Sequence, residues 1–527
     1  MAVRLFSAGI NGLDAQLIEV EADSNPGLHS FHIVGLPDKS IGESKERIAS
    51  AIKNCGFLAP NSKHKKIIIN LAPADIKKEG PAYDLPIAVA YMLETKQLKF
   101  NTSDKLIIGE LSLDGLVKRV NGVLAIAILA KDKGFKELIL PHSNIKEAKI
   151  ISGLKVIGVR NVQEAISYLN GMLPILDSES EEELAEELVI AESNTEIASF
   201  SMIKGQETAK RALVIAAAGG HNLLMFGPPG SGKTLLAKSL VDLLPKLSFQ
   251  EAIEVAKVYS SVGLLDGSPL SLKRPFRSPH HTTSPAAVVG GGSYPKPGEI
   301  SLAHRGVLFL DELPEFQRNV LESLRQPLED GVISVSRASG SVTMPAKFTL
   351  ISAMNPCPCG NYGNEKGNCI CSPINILRYR KKVSGPLLDR IDIQINVPRE
   401  TLDTQDNSSD GAKELRKTEN TRVFEKVKAQ IAKAREAQDK RFKKSAILTN
   451  SEITYKNIDR YCPIETAAED LLINAINSKS LSLRAYHRIK KLARTVADLE
   501  GSELIKEHHV AEAVSLRVNE KILSELI

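Results

Sequence analysis

The sequence predicts a multidomain α/β protein, and three observations support that fold class. A chain of 527 residues is long enough for about three or four domains. Residues 1–170 alternate short apolar strands with helical stretches, and one such helix is predicted to carry Ile41, Ile48 and Ile52 on one face. Residues 201–400 repeat a pattern of helix, apolar strand and loop, which is typical of a parallel sheet. The last 80 residues show only helical patterns.

Composition narrows the class of protein. The apolar content of 43% and the charged content of 25% are those of a soluble globular chain. No stretch approaches the ~20 consecutive apolar residues that span a bilayer, and the N-terminus lacks the apolar core of a secretory signal. Six cysteines in this length do not indicate a disulfide framework. We therefore expect a cytoplasmic protein with no membrane partner.

Charge is unevenly distributed along the chain. The net charge is +5, yet residues 177–196 hold nine acidic side chains and no basic one, so the remainder carries +14. Residues 413–445 hold twelve bases and five acids. Such an excess suits a polyanionic partner, although a solvated helix explains the second segment equally well.

A phosphate-binding loop is the strongest signal. GPPGSGKT matches the pattern G-x-x-x-x-G-K-[ST], after an apolar strand at 222–226 and before an amphipathic helix, which is the context this motif requires. Backbone N–H groups of the loop and the helix N-terminus are expected to bind the phosphates of ATP. Lys233 is expected to reach the terminal phosphates, and Thr234 to hold Mg²⁺. The predicted nucleotide-binding residues are Gly227, Pro228, Pro229, Gly230, Ser231, Gly232, Lys233 and Thr234.

Two further buried strands end in polar residues. GVLFLDEL ends its apolar run at Asp311 and Glu312, and FTLISA (348–353) is followed by Met354 and Asn355. We expect Asp311 beside the Mg²⁺, Glu312 polarising the attacking water, and Asn355 holding that water or the γ-phosphate.

Four cysteines lie in two C-x-C pairs within MNPCPCGNYGNEKGNCICSP. They are Cys357, Cys359, Cys369 and Cys371. Four thiolates this close suit a tetrahedral structural Zn²⁺ that would brace the loop leaving Asn355. Four reduced cysteines in a compact loop remain the alternative, since C-x-C is a less usual zinc spacing than C-x-x-C.

Longer motifs extend well beyond the phosphate loop. They are IKGQETAKRAL (203–213), PFRSPHHTTS (275–284), GEISLAHRGVLFLDELPEF (298–316), MNPCPCG (354–360), SGPLLDRID (384–392) and SLRAYHRIKKLARTVADL (482–499). In this order they resemble the Mg-chelatase-like branch of the AAA+ ATPases, specifically the ComM/YifB family. The similarity covers nearly the whole chain.

The resemblance implies a domain organisation. It consists of a Lon-protease-like α+β domain (ribosomal S5 domain 2-like) at 1–172, an acidic linker at 173–198, an AAA+ P-loop core with a helix-2 insert and a pre-sensor hairpin at 199–400, and a charged helical segment with a helical lid at 401–527. It further implies that Gln206 contacts nucleotide, that Arg390 is an arginine finger acting on the neighbouring subunit, and that Arg484 is the sensor-2 arginine. Because an arginine finger leaves no subunit complete alone, the active form is expected to be a ring, and the resemblance to AAA+ ATPases implies a homohexamer.

The Lon-like resemblance also implies a lost activity. In Lon proteases a catalytic serine directly follows a Gly-Pro turn, and a lysine lies on a later helix. Here Ala82 in KEGPAYDLP and Ile126 take those positions. Because a hydroxyl nucleophile needs a base within hydrogen-bond reach, the domain is expected to be proteolytically inert unless another serine, such as Ser112, substitutes.

Two segments are expected to contact the polyanionic partner and to move during the motor's action. GVISVSRASGSVTMPAKFTL (331–350) predicts a β-hairpin near whose tip Arg337 could contact phosphates. Residues 275–299 resemble the helix-2 insert, with Arg277 and Lys296 as its cations. His280 and His281 are expected to make pore or subunit contacts in preference to binding a metal.

The resemblance implies an ATP-driven hexameric motor on DNA that migrates branched junctions during uptake of transforming DNA, with little sequence specificity. It also allows recombination proteins as partners. Three other classes stay open: a chelatase motor subunit, against which a Lon-like collar argues; an ATP-dependent protease, against which Ala82 and Ile126 argue; and a remodeller of protein complexes.

Overall fold

A computed structural model of the chain divides into two compact units, each built from two stretches of sequence. The first unit comprises Met1–Asn194 and Phe249–Ser271, and the second comprises Thr195–Ser248 and Leu272–Ile527. The structure describes residues 2–60, 65–75, 77–78, 80–172, 199–265, 270–292, 295–337, 340–363, 368–399, 410–443, 445, 447–478 and 482–517. The segment predicted as an acidic linker, 173–198, lies outside these residues. Within them, no helix combines the length and apolarity that crossing a bilayer would need.

The first unit is built around a mixed sheet. Its elements are β1 (Val3–Asn11), β2 (Asp14–Pro26), β3 (Ser30–Val34), α1 (Lys39–Asn54), β4 (Lys65–Ala72), α2 (Asp84–Glu94), β5 (Lys105–Ile107), β6 (Glu110–Leu111), β7 (Val117–Lys118), α3 (Val123–Asp132), β8 (Glu137–Pro141), α4 (Ile145–Ala148), β9 (Lys155–Val159) and α5 (Val162–Leu169), with a helix from the second stretch, Phe249–Ser261, numbered α8 by its place in the chain. Seven strands form the sheet in the order β3-β4-β2-β1-β5-β8-β9. The pairs β1–β2 and β2–β4 are antiparallel, and the others are parallel.

The sequence pattern explains this packing. The predicted helix face is confirmed, because Ile41, Ile48 and Ile52 are fully buried. The Asp38 side chain caps α1 by accepting a hydrogen bond from the Ile41 N–H at 2.9 Å. Helix α2 is apolar apart from Asp84 and Glu94 and is buried throughout residues 84–92, as expected of a helix without a solvent face.

Helix α8 lies in the first unit, although the sequence analysis counted it within 199–400. The Gly122 N–H donates to the Ser260 carbonyl at 3.0 Å. The Ser260 hydroxyl donates to the buried Glu147 carboxylate at 2.5 Å, and Lys257 pairs with Asp14 at 2.5 Å. These polar contacts fix α8 beside the start of α3.

The second unit contains the parallel sheet. Its elements are α6 (Glu207–Gly219), β10 (Leu223–Phe226), α7 (Lys233–Leu243), β11 (Phe276–Arg277), α9 (Pro285–Val289), β12 (Gly290–Gly291), β13 (Lys296–Pro297), α10 (Glu299–Leu302), β14 (Val307–Leu310), α11 (Arg318–Ser323), α12 (Arg325–Asp330), β15 (Val332–Arg337), β16 (Gly340–Pro345), β17 (Thr349–Met354), α13 (Pro373–Lys381), α14 (Gly385–Leu388), β18 (Ile393–Asn396), α15 (Asp410–Phe442), α16 (Ile458–Tyr461), α17 (Thr466–Ser478), α18 (Leu483–Glu500) and α19 (Glu507–Ser515). Five strands pair in parallel in the order β11-β14-β17-β10-β18.

The sheet confirms the three predicted buried strands. Every residue of β14 and β17 is buried, as are the first three of β10. In a parallel sheet all carboxyl ends meet at one edge, so the loops after β10, β14 and β17 come together there.

The predicted hairpin is also present. Strands β15 and β16 pair antiparallel from Val332↔Pro345 to Arg337↔Gly340. Its exposed face carries cross-strand hydroxyl pairs, Ser334 with Thr343 and Ser336 with Ser341. Residues 338–339 and the Arg337 side chain lie outside the described part of the chain.

The C-terminal helices share one apolar core with the sheet. Phe424, Ile431 and Phe442 of α15 are buried in the same cluster as Ile489 and Val496 of α18. Residues 413–442 of the charged segment therefore lie in α15, and its described part from residue 421 onward has one buried apolar side and charged residues on its exposed side. This arrangement gives the mixed composition of the segment a structural explanation.

Candidate nucleotide-binding site and cysteine cluster

The phosphate-binding loop has the backbone that its glycines were expected to provide. A Cβ on Gly227 would lie 2.2 Å from the Val397 carbonyl oxygen, so no larger residue fits there. Gly230 and Gly232 adopt φ values of 76° and 86°, which favour glycine. Helix α7 begins directly after, and the N–H groups of its first turn have no partners within the helix. The loop and helix therefore offer donors to an anion.

Lys233 lies folded into this loop. Its ammonium donates to the carbonyls of Gly227 and Pro228, each at 2.8 Å, and to the Asn355 side-chain oxygen at 3.4 Å. Burial lowers the pKa of Lys233, although Asp311 and Glu312 partly offset this shift. A partly desolvated cation held by neutral carbonyls is well placed to exchange them for phosphate oxygens.

The predicted Mg²⁺ ligands are adjacent. The Thr234 hydroxyl donates to Asp311 Oδ2 at 3.1 Å. Asp311 follows β14, Asn355 follows β17 and the loop follows β10, so all three stand at the carboxyl edge of neighbouring strands. A hydroxyl beside a carboxylate is an oxygen-only pair that suits a hard cation such as Mg²⁺.

Glu312 has a partner that the sequence did not predict. Its Oε2 lies 3.3 Å from His281 Nδ1, and its backbone adopts a left-handed φ of 51°. The His281 ring centroid lies 4.1 Å from that of His280, with the two rings tilted by 34°, and the His281 ring meets Phe316 edge-on at 6.5 Å. The pair His280–His281 was noticed in the sequence, but nothing there showed that one ring faces the carboxylate after β14.

The two predicted arginines make different contacts. Arg390 pairs with Glu329 of the same chain at 2.5 Å, donates to the Pro386 carbonyl at 2.6 Å, and has an 11% exposed side chain. Arg484 is exposed in the first turn of α18, which Ser482 caps. Gln206 precedes α6 and donates to the Pro398 carbonyl at 2.7 Å.

The predicted pore cations also differ from one another. Arg277 forms a two-bond ion pair with Glu299, at 2.6 and 2.7 Å. Lys296 is exposed in β13. Arg337 lies at the end of β15. Among those of the three side chains that the structure describes, the exposed one is Lys296.

The four predicted cysteines form one cluster. Their sulfur atoms lie within 4.8 Å of one another, and Cys357, Cys359 and Cys369 are separated by 3.3 to 3.7 Å. Zn–S bonds of about 2.3 Å in a tetrahedron place sulfur atoms about 3.8 Å apart, whereas a disulfide requires about 2.05 Å. Hydrogen bonding from the Asn361 backbone lowers the pKa of Cys359 to about 6, whereas burial and the neighbouring cysteines raise the pKa of Cys369 and of Cys371. It is therefore the spacing of the sulfur atoms that supports a metal site. The cluster could therefore hold a metal ion.

A second group, Glu500 with His508 and His509, also brings possible ligand atoms together. His509 Nδ1 accepts a hydrogen bond from the Lys506 N–H at 2.9 Å, so its Nε2 carries the proton. That Nε2 lies 3.0 Å from Glu500 Oε2. These hydrogen bonds cap the N-terminus of α19.

The loop at residues 80–84 has no serine, threonine or cysteine, as its sequence indicates. Ala82 lies in a single 3-10 turn, and its carbonyl accepts a hydrogen bond from the Gly109 N–H at 2.9 Å. Ile126 is buried in α3. The Ser112 hydroxyl donates to Asp114 and accepts from the Leu116 N–H at 3.0 Å. Ser112 thus serves a turn in the described structure.

Comparisons with known proteins match this chain to magnesium-chelatase subunits and to a competence protein. Residues 199–405 match the family described as "Magnesium chelatase, subunit ChlI", residues 20–144 match "Subunit ChlI of Mg-chelatase", and residues 423–517 match "Magnesium chelatase, subunit ChlI C-terminal". The chain is 42% identical to "Competence protein ComM" of Haemophilus influenzae over 99% of this chain and 98% of that protein.

More distant relatives widen the comparison. The protein "YifB" of Escherichia coli is 40% identical over 98% of this chain and 97% of its own length. "Magnesium-chelatase 38 kDa subunit" of Rhodobacter capsulatus is 30% identical over 30% of this chain and 50% of its own. The extent and level of identity, together with the phosphate-binding loop, show that the chain belongs to the ComM/YifB family of Mg-chelatase-like AAA+ ATPases.

Proposed function

We propose that the chain is an ATP-hydrolysing motor that assembles as a homohexameric ring and drives branch migration of DNA. The observation that carries the ATPase part is the convergence of Lys233, Thr234, Asp311 and Asn355 at one edge of the parallel sheet. Those residues come from three strands that are far apart in sequence. Their chemistry is that of a site for a nucleoside triphosphate with Mg²⁺.

Each side chain has a role in this proposal. The loop N–H groups and Lys233 bind the phosphates, and Thr234 and Asp311 hold Mg²⁺, which neutralises charge on the phosphates when bound. Glu312 polarises the attacking water, and its contact with His281 orients the carboxylate. Asn355, 3.4 Å from the Lys233 ammonium, holds the water or the γ-phosphate.

The ring follows from Arg390. Its guanidinium is a suitable group to stabilise transition-state charge on the nucleotide of a neighbouring subunit. In the single chain it contacts Glu329 instead. Assembly into a ring would exchange that contact for phosphate, and the exposed Arg484 would act on the chain's own nucleotide.

The DNA part of the proposal is supported by the relative named a competence protein and by charge. The chain carries +5, with an acidic segment that leaves +14 on the rest. Lys296 and the hydroxyl face of the hairpin β15–β16 offer phosphate contacts without base readout. The first unit, with Ala82 and Ile126, is proposed to be an inert Lon-like assembly domain.

A labelled four-way DNA junction tests this function. Purified protein with ATP is expected to resolve the junction, and Lys233→Ala is expected not to. If the unmodified protein resolves the junction no faster than Lys233→Ala, the motor is excluded. DNA binding should also weaken steeply as salt rises, because phosphate contacts release counterions.

A second candidate is an ATPase that remodels a protein or metal-insertion partner. Its support is the similarity to the magnesium-chelatase subunit and to three chelatase family models. ATP turnover that is unaffected by DNA at any salt concentration would favour this candidate over the DNA motor.

For the cysteine cluster we propose a structural Zn²⁺. Cys357 follows Asn355 by two residues, so a metal there would brace the loop that leaves β17. Metal analysis of purified protein is expected to give about one zinc per chain, and a ratio near zero would remove this proposal.

A further inference from the structure

A buried ion pair joins the segment that carries Arg390 to the helix that carries Arg484. Arg488 Nη1 donates to Asp392 Oδ1 at 2.5 Å. The same nitrogen donates to the backbone carbonyl of Arg390 at 2.9 Å. One guanidinium on α18 therefore holds both the residue predicted to act on a neighbouring nucleotide and the carboxylate that follows it.

The other oxygen of Asp392 faces a buried histidine. His221 Nδ1 lies 3.1 Å from Asp392 Oδ2, and His221 Nε2 lies 2.7 Å from the Thr495 hydroxyl. Gly219 leaves room for the ring, since a Cβ there would lie 2.4 Å from it. The Thr-His-Asp order resembles that of a hydrolase triad, but His221 and Thr495 are fully buried. The group consequently holds structure and has no access to a substrate.

The carboxylate of Asp392 keeps its charge in this setting. Burial by itself would raise its pKa, but the Arg488 guanidinium and the His221 hydrogen bond outweigh burial and hold the pKa well below its usual range. A buried charge of this kind is tolerated only while its partners stay in place.

The Arg390 carbonyl is also tied to the strand of the phosphate-binding loop. Asn222 Nδ2 donates to it at 3.2 Å. The Asn222 side-chain oxygen accepts from the Leu350 N–H at 2.8 Å, in the strand that leads to Asn355. The Asn222 carbonyl accepts from the Asp392 N–H at 3.1 Å. Asn222 precedes β10, so the backbone of Arg390 has bonds to the loop strand, to its neighbour β17 through Asn222, and to α18.

We propose that Arg488 is a positioning residue for ATP turnover. It fixes the backbone from which the Arg390 side chain extends, relative to helix α18, whose first turn carries Arg484. Arg484 and Arg488 are four residues apart and so lie on the same side of that helix. Displacing Arg488 would misplace the Arg390 side chain while leaving the phosphate-binding loop intact. This inference rests on the proposed role of Arg390.

A matched control lies in the same unit. Arg441 pairs with Asp498 at 2.5 Å, with side-chain exposures of 19% and 1%, against 21% and 6% for Arg488 and Asp392. Arg441 also donates to Asn450 at 2.9 Å. The two ion pairs match in residue types, shortest distance and exposure. They differ in that Arg441 binds Asp498 through two nitrogens and shares it with Arg494, whereas Arg488 binds Asp392 through one nitrogen that also holds the Arg390 carbonyl.

The full chain carrying Arg488→Lys is compared with Arg441→Lys. Each keeps the charge but replaces the guanidinium with a shorter ammonium, so we expect the thermal unfolding midpoint to fall in both variants. Steady-state ATP turnover is expected to lose about tenfold or more in kcat for Arg488→Lys, with little change in KM. Arg441→Lys is expected to keep the kcat of the unmodified chain. Equal kcat values in the two variants would overturn the inference.

The Arg390→Ala background separates this inference from the proposed function. Arg488→Lys is expected to cause no further loss there, because it acts through Arg390. A further loss of the same size would overturn the inference. If Arg390→Ala turns over ATP as fast as the unmodified chain, the proposed role of Arg390 fails and the inference fails with it. If Arg390→Ala is inactive while Arg488→Lys is fully active, only the inference fails.

A second variant guards against misfolding. Asn222→Ala removes the other side-chain hydrogen bond to the Arg390 carbonyl without touching the ion pair. It is expected to lower kcat in the same direction as Arg488→Lys. Should a folded Asn222→Ala chain retain full kcat while Arg488→Lys does not fold, the claim that the Arg390 backbone needs external positioning is overturned.

Discussion

Two Gly-Pro loops, one in each unit, lead into helices. The loop at residues 80–84 precedes α2, and the loop at residues 227–233 precedes α7. Both loops start from a glycine that other residues could not easily replace. Gly80 has a φ of 76°, which favours glycine, and a Cβ on Gly227 would clash with the Val397 carbonyl oxygen. Only the second loop gathers chemical groups around it.

The difference lies in the neighbouring elements. Around the second loop, β14 supplies Asp311 and β17 supplies Asn355 at the same edge of the sheet. Around the first, the Gly109 N–H occupies the Ala82 carbonyl, and Asp84 is buried against Arg47 at 3.0 Å. The strand–loop–helix turn is thus a scaffold in both units. Whether it forms a reactive site depends on which side chains the adjacent strands place beside it.

Lys233→Ala should have the largest effect of all. Loss of the cation that faces the phosphates is expected to lower kcat/KM for ATP by more than about a thousandfold. Ala82→Ser, at the corresponding loop of the first unit, is expected to leave ATP turnover unchanged and to create no peptidase activity, because Ile126 supplies no base. Peptidase activity in Ala82→Ser would break the comparison between the two loops.

His281→Gln tests whether a side chain outside the second loop orients Glu312. If His281 orients Glu312, the variant should lose about tenfold in kcat with little change in KM. Glu312→Gln removes the carboxylate itself, so it is expected to give the lowest kcat of these variants. We expect a loss of about a hundredfold or more in kcat, with ATP binding retained. His280→Gln is the control, since its Nδ1 contacts Thr282 and not Glu312. Equal effects of the two histidine variants would count against the role of His281.

Cys359→Ser tests whether the surroundings of Asn355 need the cysteine cluster. We expect the zinc content to fall from about one per chain to near zero and the loop after β17 to loosen. A loosened loop should cost about tenfold in ATP turnover through a misplaced Asn355. Cys55→Ser in the first unit is the control and should change neither quantity. Unchanged metal content in Cys359→Ser would contradict the proposed site.

Two buried Asp–Arg pairs should respond to pH with opposite sign. Burial raises the pKa of Asp84 despite hydrogen bonds from Arg47 and Ser44, so its stability contribution is present at low pH and is lost as pH rises through the folded pKa. The pKa of Asp392 is held low, so its contribution is present above the usual pKa and is lost as pH falls toward the folded pKa.

Asp84→Asn and Asp392→Asn expose that difference. Hydrogen exchange of α2 and of α18 is measured from neutral pH down to about 3.5. The stability advantage of Asp84 over Asn should grow as pH falls, whereas that of Asp392 should shrink. If the stability advantage of Asp over Asn changes in the same direction with pH at both positions, the two pairs do not differ in the sign of their pKa shifts. We expect this effect to be the smallest of the four.

Much of the site was predictable because its residues lie in contiguous motifs. The spacing of Gly227, Gly232, Lys233 and Thr234 specifies a loop, and an apolar run ending in Asp311 specifies a buried strand with its acid at the edge. The hairpin and the face carrying Ile41, Ile48 and Ile52 follow from local periodicity, and they are confirmed. Local patterns of this kind depend on neighbours in sequence, which are always visible.

Contacts between distant residues were not predictable in the same way. The pairing of Arg277 with Glu299 and of Arg390 with Glu329, and the approach of His281 to Glu312, depend on where loops from different strands meet. The placement of helix α8 in the first unit depends on the buried carboxylate of Glu147, which is 113 residues away in sequence from its partner Ser260.

By itself the sequence determined the phosphate-binding loop, the order of the buried strands along the chain, the cysteine spacing and the absence of a nucleophile at Ala82. Tertiary structure alone decided which cations are committed to ion pairs, which histidine meets the acid, and which buried arginine holds the Arg390 backbone. The physical reason is that periodicity and turn chemistry act over a few residues, whereas desolvation and ion pairing depend on every group that packing brings within a few ångströms.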